Sequence, residues 1–168
     1  IFDGTDLMVC MTARHKQAVM TLSPKFRIIV PEPEISDPYG GSKEIYKLCA
    51  EQIERFVAAL IDSLTFEIVK MRPDHVKAIA KIEEQCFSSP WTEEGIAEEI
   101  ENENAHFLVA VAADKVIGYI GVHEVCGEAY IDNIAVSPDH RRLGIGEKLL
   151  KKAQQNAFSR GCEFISLE

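Results

Sequence analysis

One segment limits the fold of this chain more than any other: Tyr130-Ile131-Asp132-Asn133-Ile134-Ala135-Val136-Ser137-Pro138-Asp139-His140-Arg141-Arg142-Leu143-Gly144-Ile145-Gly146. It opens with residues suited to a strand, breaks at Ser137-Pro138, and ends in a glycine loop from which a helix is expected to run from about Glu147. Gly144 and Gly146 carry no Cβ, so backbone N–H groups there can approach phosphate oxygens closely. A helix N-terminus adds unpaired donors and the positive end of a dipole. The order strand, glycine loop, helix therefore points to a phosphate-bearing ligand.

The rest of the composition narrows the setting. With 168 residues, 46% of them hydrophobic, the chain is long enough for one ordinary domain or two small ones. A formal charge of −9 argues against a nucleic-acid surface, which needs a basic face, and makes basic partners electrostatically easier. Five scattered cysteines, Cys10, Cys49, Cys86, Cys126 and Cys162, include no C-x-x-C pair and read as reduced thiols of a cytoplasmic protein. No apolar run has the length of a membrane span, and no basic segment followed by an apolar stretch opens the chain, so neither membrane nor export is expected. The histidines lack metal-ligand spacing, and no metal is expected. Ile1 in place of methionine, and Glu168 closing a strand, lead to the expectation of a fragment of a longer chain.

Read along its length, the sequence divides near Ser63. Asp6 to Met11 suits a buried strand, Ala13 to Leu22 a short helix, and Phe26 to Val30 a second strand stopped by Pro31 and Pro33. After the turn Asp37-Pro38-Tyr39-Gly40-Gly41, Ser42 caps a long amphipathic helix. Its apolar residues, among them Ile45, Leu48, Ile53, Val57 and Ile61, are expected to form one buried face, which needs a sheet to pack on. From Phe66 the pattern changes to an alternating strand, a helix opened by Pro73 over Val76, Ile79, Ala80, Ile82 and Glu83, and a capped helix after Phe87 to Glu94. Three strands follow, 107–112, 116–125 and 128–136, joined by tight turns into an antiparallel meander. The helix after the glycines directs Leu149, Leu150, Ala153, Ala157 and Phe158 to the core and stops at Gly161, before a last strand from Phe164. Residues 1–65 carry 7 bases and 9 acids, a balance of −2, which leaves −7 for the remainder.

Residues 66–168 resemble the N-terminal two-thirds of a GNAT-superfamily acetyltransferase, whose Q/R-x-x-G-x-G/A pyrophosphate loop stands here as Arg141-Arg142-Leu143-Gly144-Ile145-Gly146. Phe87-Ser88-Ser89-Pro90-Trp91, Ile134-Ala135-Val136-Ser137-Pro138 and Ser166-Leu167-Glu168 are similar to the RimI type, the ribosomal-protein alanine N-acetyltransferases. The resemblance implies an α/β fold, with a mixed, largely antiparallel sheet flanked by helices and incomplete at the C-terminus. It also implies acetyl-CoA as co-substrate and a protein N-terminus, here a ribosomal protein's, as acceptor. By that resemblance the backbone of Ile134, Ala135 and Val136 pairs with the pantetheine arm, and that of Arg142 through Glu147 holds the pyrophosphate. The side chains of Arg141 and Arg142 turn either to phosphate or to solvent. Glu168 takes the place of the base that removes a proton from the attacking amine, a role that burial of a carboxyl favours. Family positions for a CoA-contacting asparagine and a thiol-protonating tyrosine fall downstream of Glu168.

Residues 1–63 resemble the C-terminal half of a low-molecular-weight protein tyrosine or arginine phosphatase, through Asp6-Leu7-Met8-Val9-Cys10-Met11-Thr12, Asp37-Pro38-Tyr39-Gly40-Gly41-Ser42 and the long helix. The resemblance makes Asp37 the remnant of the acid that protonates the leaving group, and places the family's C-x5-R-S/T phosphate loop upstream of Ile1. Asp37 as a plain turn former is the other reading. Trp91 is either a core aromatic or part of the acceptor groove. The acids Glu93, Glu94, Glu98, Glu99, Glu101 and Glu103 form either a solvated face or a lure for a basic tail. Beside the acetyltransferase stand two other readings: a non-catalytic module that binds CoA or a partner, and a phosphatase fragment inactive as given.

Overall fold

The alternation that begins at Phe66 becomes a five-stranded sheet with helices on both faces. The computed structural model describes residues 7–22 and 27–167, so the Glu168 expectation lies outside the described residues. The chain separates into two units, residues 1–61 and 62–168.

In the first unit, β1 (Leu7–Val9), α1 (Ala13–Leu22) and β2 (Arg27–Ile29) form a parallel pair with a helical crossover. The long helix α2 (Lys43–Thr65) runs past the expected boundary at Ser63 and ends in the second unit. Its apolar residues do not form the buried face that the spacing predicts: Leu48 is 59% exposed, Val57 45% and Ile61 55%. A two-stranded sheet offers too little area to cover a helix of this length.

The second unit is ordered β3-β4-β5-β6-β7, from β3 (Glu67–Lys70), β4 (Leu108–Ala112), β5 (Lys115–Val125), β6 (Glu128–Val136) and β7 (Phe164–Leu167). The first three pairings are antiparallel and β6–β7 is parallel. Both hairpin turns use left-handed residues, Ala113 and Asp114 in one, Cys126 and Gly127 in the other, which matches the right-handed twist of the strands they join.

Helix α3 (Val76–Cys86) follows a 3₁₀ turn started by Pro73, and buries Val76, Ile79, Ala80, Ile82 and Glu83 on one stripe. Helix α4 (Glu93–Glu98) is capped by Thr92, whose Oγ1 accepts from the Gly95 N–H at 3.1 Å. On the other side of the sheet, α5 (Ile145–Ser159) buries Leu149, Ala153 and Ala157. Adjacent residues of β5 show the two layers: a Cβ at Gly118 would stand 3.4 Å from Leu149 of α5, whereas Tyr119 reaches Glu83 of α3. Phe158, expected in the core, is 52% exposed, because it stands one position past Ala157, about 100° round the helix from the buried stripe of Leu149, Ala153 and Ala157.

Candidate active site

Strand β6 has two different edges. Ser137 N–H donates to Ile117 O at 3.0 Å, and the register then pairs Ala135 with Tyr119 and Asn133 with Gly121. Bonded and non-bonded pairs alternate in an antiparallel ladder. Ala135 therefore turns its backbone groups toward β5, while those of Ile134 and Val136 face the opposite side. On that opposite side β7 pairs with β6 only from Glu128 to Ile131, among the described residues. Beside the last of these pairs β6 bulges against β5, with Asp132 the extra residue between Gly121↔Asn133 and Val122↔Ile131. The outward backbone of Ile134 and Val136 is left as a strand edge with no strand partner among the described residues.

At its far end this edge leads into the glycine loop. Leu143 and Ile145 are 2% and 1% exposed, so their side chains anchor the loop in the core while its backbone stays at the surface. Arg142 has φ +65°, a left-handed conformation in a residue that is not glycine, and Gly144 caps the helix at φ +82°. The first helical bond is Lys148 N–H to Gly144 O at 3.2 Å, so the amides of Ile145 and Gly146 precede the helical ladder. Gly146 has ordinary dihedrals, and a Cβ there would meet only Val136 Cγ2, at 3.6 Å. Neither backbone strain nor crowding by protein calls for glycine at this position. What its missing side chain leaves is room for a group bound against the helix end.

The side chains around the loop have definite partners. Arg141 turns back to the strand edge, its Nε 3.4 Å from Val136 O and its Nη2 3.2 Å from Cys86 Sγ. The Cys86 thiol lies 3.7 Å from the same carbonyl. Glu147, in the first turn, pairs with Lys151 at 2.6 Å. His140 Nε2 is 3.0 Å from Asp62 Oδ2, and Lys148 Nζ stands 4.7 Å over the Phe66 ring, so residues 62–66 clasp both the approach to the loop and the start of α5.

On the α3 face, beneath the bulge, lies a buried carboxylate. Glu83 is fully buried; its Oε2 accepts from the Trp91 N–H at 2.8 Å, and its Oε1 accepts from Asn133 Nδ2 at 3.0 Å and from the Tyr119 hydroxyl. Burial, then the hydrogen bond to Glu83, pushes the Tyr119 hydroxyl well above its ordinary range, so it stays a donor. Next to this network, His123 Nδ1 is 2.6 Å from Asp132 Oδ2 and its Nε2 3.0 Å from Glu99 Oε2. Burial works against the charged imidazole, but the bonds and charges of Asp132 and Glu99 outweigh it and raise the His123 pKa above the usual value.

The sequence-derived cradle residues are thus brought together, with Ile134 and Val136 rather than Ala135 presenting backbone groups on the open side. Trp91 is half-buried and packs 6.0 Å from Phe107, against the core. Asp37 lies in the other unit, where its Oδ1 accepts from the Tyr39 N–H at 3.0 Å as a local turn former. Cys49 and Arg55 share the spacing of a phosphate-loop cysteine and arginine, but both sit inside helix α2, which cannot wrap a phosphate. Sequence reasoning missed Asp62, Asn133 and the partners of Glu83. Only the placement of Glu83 on an apolar stripe signalled anything.

A mixed sheet with its one parallel pair beside a glycine-capped helix is the arrangement of an N-acetyltransferase fold. The chain belongs to the acetyltransferase (GNAT) family, whose model matches residues 76–168. It is 34% identical over 99 residues to a Bacillus subtilis protein described as a putative [ribosomal protein bS18]-alanine N-acetyltransferase, covering 58% of this chain and 66% of that protein. An acetyltransferase of Sodalis glossinidius is 32% identical over 106 residues, covering 60% of this chain and 73% of its own length. Among solved structures, the Escherichia coli ribosomal-protein-S18-alanine N-acetyltransferase superposes with a TM-score of 0.57 at 26% identity, over 61% of this chain and 66% of that one. The chain thus spans just under two thirds of the Bacillus and Escherichia proteins.

Proposed function

We propose that this protein binds acetyl-CoA along β6 and the loop Arg141–Gly146, and transfers the acetyl group to the N-terminal amine of a protein. The acceptor is an alanine-starting terminus of the kind that ribosomal proteins present. The observation that carries the reading is the continuity of the site: the outward backbone of Ile134 and Val136 runs without a break into a loop whose Gly146 leaves space at a helix N-terminus. Names of relatives supply the acceptor, since the Bacillus and Escherichia proteins are both described as alanine N-acetyltransferases for a ribosomal protein.

Acetyl-CoA supplies a thioester carbonyl, and the residues of this chain hold it, meet its charge and manage the amine's proton. Ile134 and Val136 present strand-edge groups to the amides of the pantetheine arm, with Arg141 giving up Val136 O as that arm arrives. The backbone from Arg142 to Glu147 takes the pyrophosphate, assisted by the helix dipole. On the outward edge of β6 near Ile134, a strand N–H favours the charge that develops on the carbonyl oxygen. Only the neutral amine attacks; as the N–C bond forms and the C–S bond breaks, the amine loses a proton to a base and the thiolate gains one. Glu168, which follows Leu167 in sequence, is assigned by resemblance to the RimI type to take the amine's proton.

A thiol-release assay with peptides that begin with alanine tests the proposal. Release that depends on peptide, with N-terminal acetylation seen by mass, is the expected result. Acetyl-CoA binding without transfer to any peptide assigns the chain to the non-catalytic readings instead.

A further inference from the structure

Glu83 is the one carboxylate of the acetyltransferase unit found fully buried among the described residues, and nothing in the chemistry above uses it. A buried carboxylate is costly unless its lone pairs are matched by donors. Here they are matched by groups from three places: the backbone of Trp91 in the loop between α3 and α4, the Tyr119 hydroxyl from the middle of β5, and the Asn133 amide from the bulge of β6. Asn133 is the residue immediately before the strand edge at Ile134, and Trp91 begins the approach to the α4 cap. Its two oxygens are divided between the two sides, with Oε2 on the loop and Oε1 on the sheet. A core that needed only filling would place leucine here, on the same stripe as Ile79 and Ile82.

We infer that Glu83 is a positioning residue of the transfer site, resting on the acetyltransferase reading above. It fixes the loop at Trp91 relative to the β6 bulge, so that an acceptor arriving between that loop and the edge at Ile134 meets a surface of fixed shape. It acts through Asn133 and Trp91 and does not touch the reactants. The pyrophosphate loop is held separately, by Leu143 and Ile145 in the core and by His140 on Asp62. Disturbing Glu83 therefore affects acceptor kinetics and leaves cofactor affinity in place.

The pair Glu83 and Asn133 allows a swap of hydrogen-bond roles. Asn133→Asp places a second carboxylate against Glu83, whereas Glu83→Gln combined with Asn133→Asp restores a donor and an acceptor with their places exchanged. The experiment measures acetyl-CoA affinity by calorimetry, and kcat and KM for an alanine-starting peptide, on the wild type, Asn133→Asp and the double variant. Tyr119→Phe, which removes one donor at little change of shape, is the second probe should Asn133→Asp not fold. Asn133→Asp is expected to lower kcat/KM for the peptide by about tenfold or more, a loss of the size of one buried charge-assisted hydrogen bond. Cofactor affinity is expected to stay within about twofold, and the double variant to recover most of the peptide kinetics. Tyr119→Phe is expected to shift the same kinetic quantity in the same direction. Peptide kinetics unchanged in both single variants, or a double variant no better than Asn133→Asp, overturns the positioning role. A wild type that neither binds acetyl-CoA nor transfers acetyl overturns the acetyltransferase reading itself.

Discussion

His123 and Asp132 lie 2.6 Å apart, Nδ1 to Oδ2, although they belong to different strands and Asp132 is the extra residue of the bulge. The other ring nitrogen meets Glu99 at 3.0 Å, so one imidazole holds the end of α4 against the bulged strand. A histidine whose pKa is raised in the folded state binds its proton more tightly there than in the unfolded chain. Its stabilising contribution is fully present below the unfolded pKa and is lost as pH rises through the folded one. Replacing His123 by Asn is expected to lower the thermal midpoint more at about pH 5.5 than at about pH 8, with the difference read from melting curves across that range. An equal deficit at both pH values contradicts a charged bridge.

Phe107 lies over Gly121 so closely that a Cβ there would stand 2.6 Å from the ring. Gly121→Ala must displace a buried aromatic that also stacks on Tyr119 at 6.3 Å. The expected cost is about 1–3 kcal/mol, the usual range for overpacking, seen as a lower denaturation midpoint with unchanged slope.

Thr92 caps α4 through a single side-chain bond to the Gly95 N–H at 3.1 Å. Thr92→Ala is expected to destabilise by about 1 kcal/mol, and Thr92→Ser much less, because serine keeps the accepting oxygen. Chemical denaturation of the two variants side by side checks the assignment.

Gly144 and Gly146 are both glycines of the loop, yet they answer to different constraints. Gly144, at φ +82°, has a conformation that alanine adopts at a cost of about 1–2 kcal/mol. Gly146→Ala, within a helix, meets only an ordinary contact with Val136 and is expected to leave the thermal midpoint unchanged or slightly raised. Melting curves of the two alanine variants separate strain from vacancy.

The parts of the fold that the sequence makes legible are those set by local pattern. The three strands of the meander, the turns at Ala113-Asp114 and Cys126-Gly127, and the stop of α5 before Gly161 all follow from periodicity and turn chemistry. The long helix α2 shows the limit. Its apolar spacing is real, but burial depends on a partner surface, and residues such as Leu48 and Ile61 remain exposed. Phe158 fails because it lies round the helix from the buried stripe that ends at Ala157. In the candidate site, the run from Ile134 to Glu147 is legible because the residues proposed for the cradle are contiguous in sequence. Asn133 meets Glu83 across 50 positions of sequence, and His140 meets Asp62 across 78; no local pattern carries such pairings.

The cofactor cradle is tested most directly by titrating acetyl-CoA into the wild type and Gly146→Asp in a calorimeter. Melting curves of both proteins accompany the titrations. The account predicts saturable binding to the wild type and affinity weaker by about tenfold or more in the variant, because a carboxylate then fills the space against the helix end where the pyrophosphate would lie. The thermal midpoint of the variant should stay close to that of the wild type. No binding to the wild type, or equal affinity in both, would contradict it.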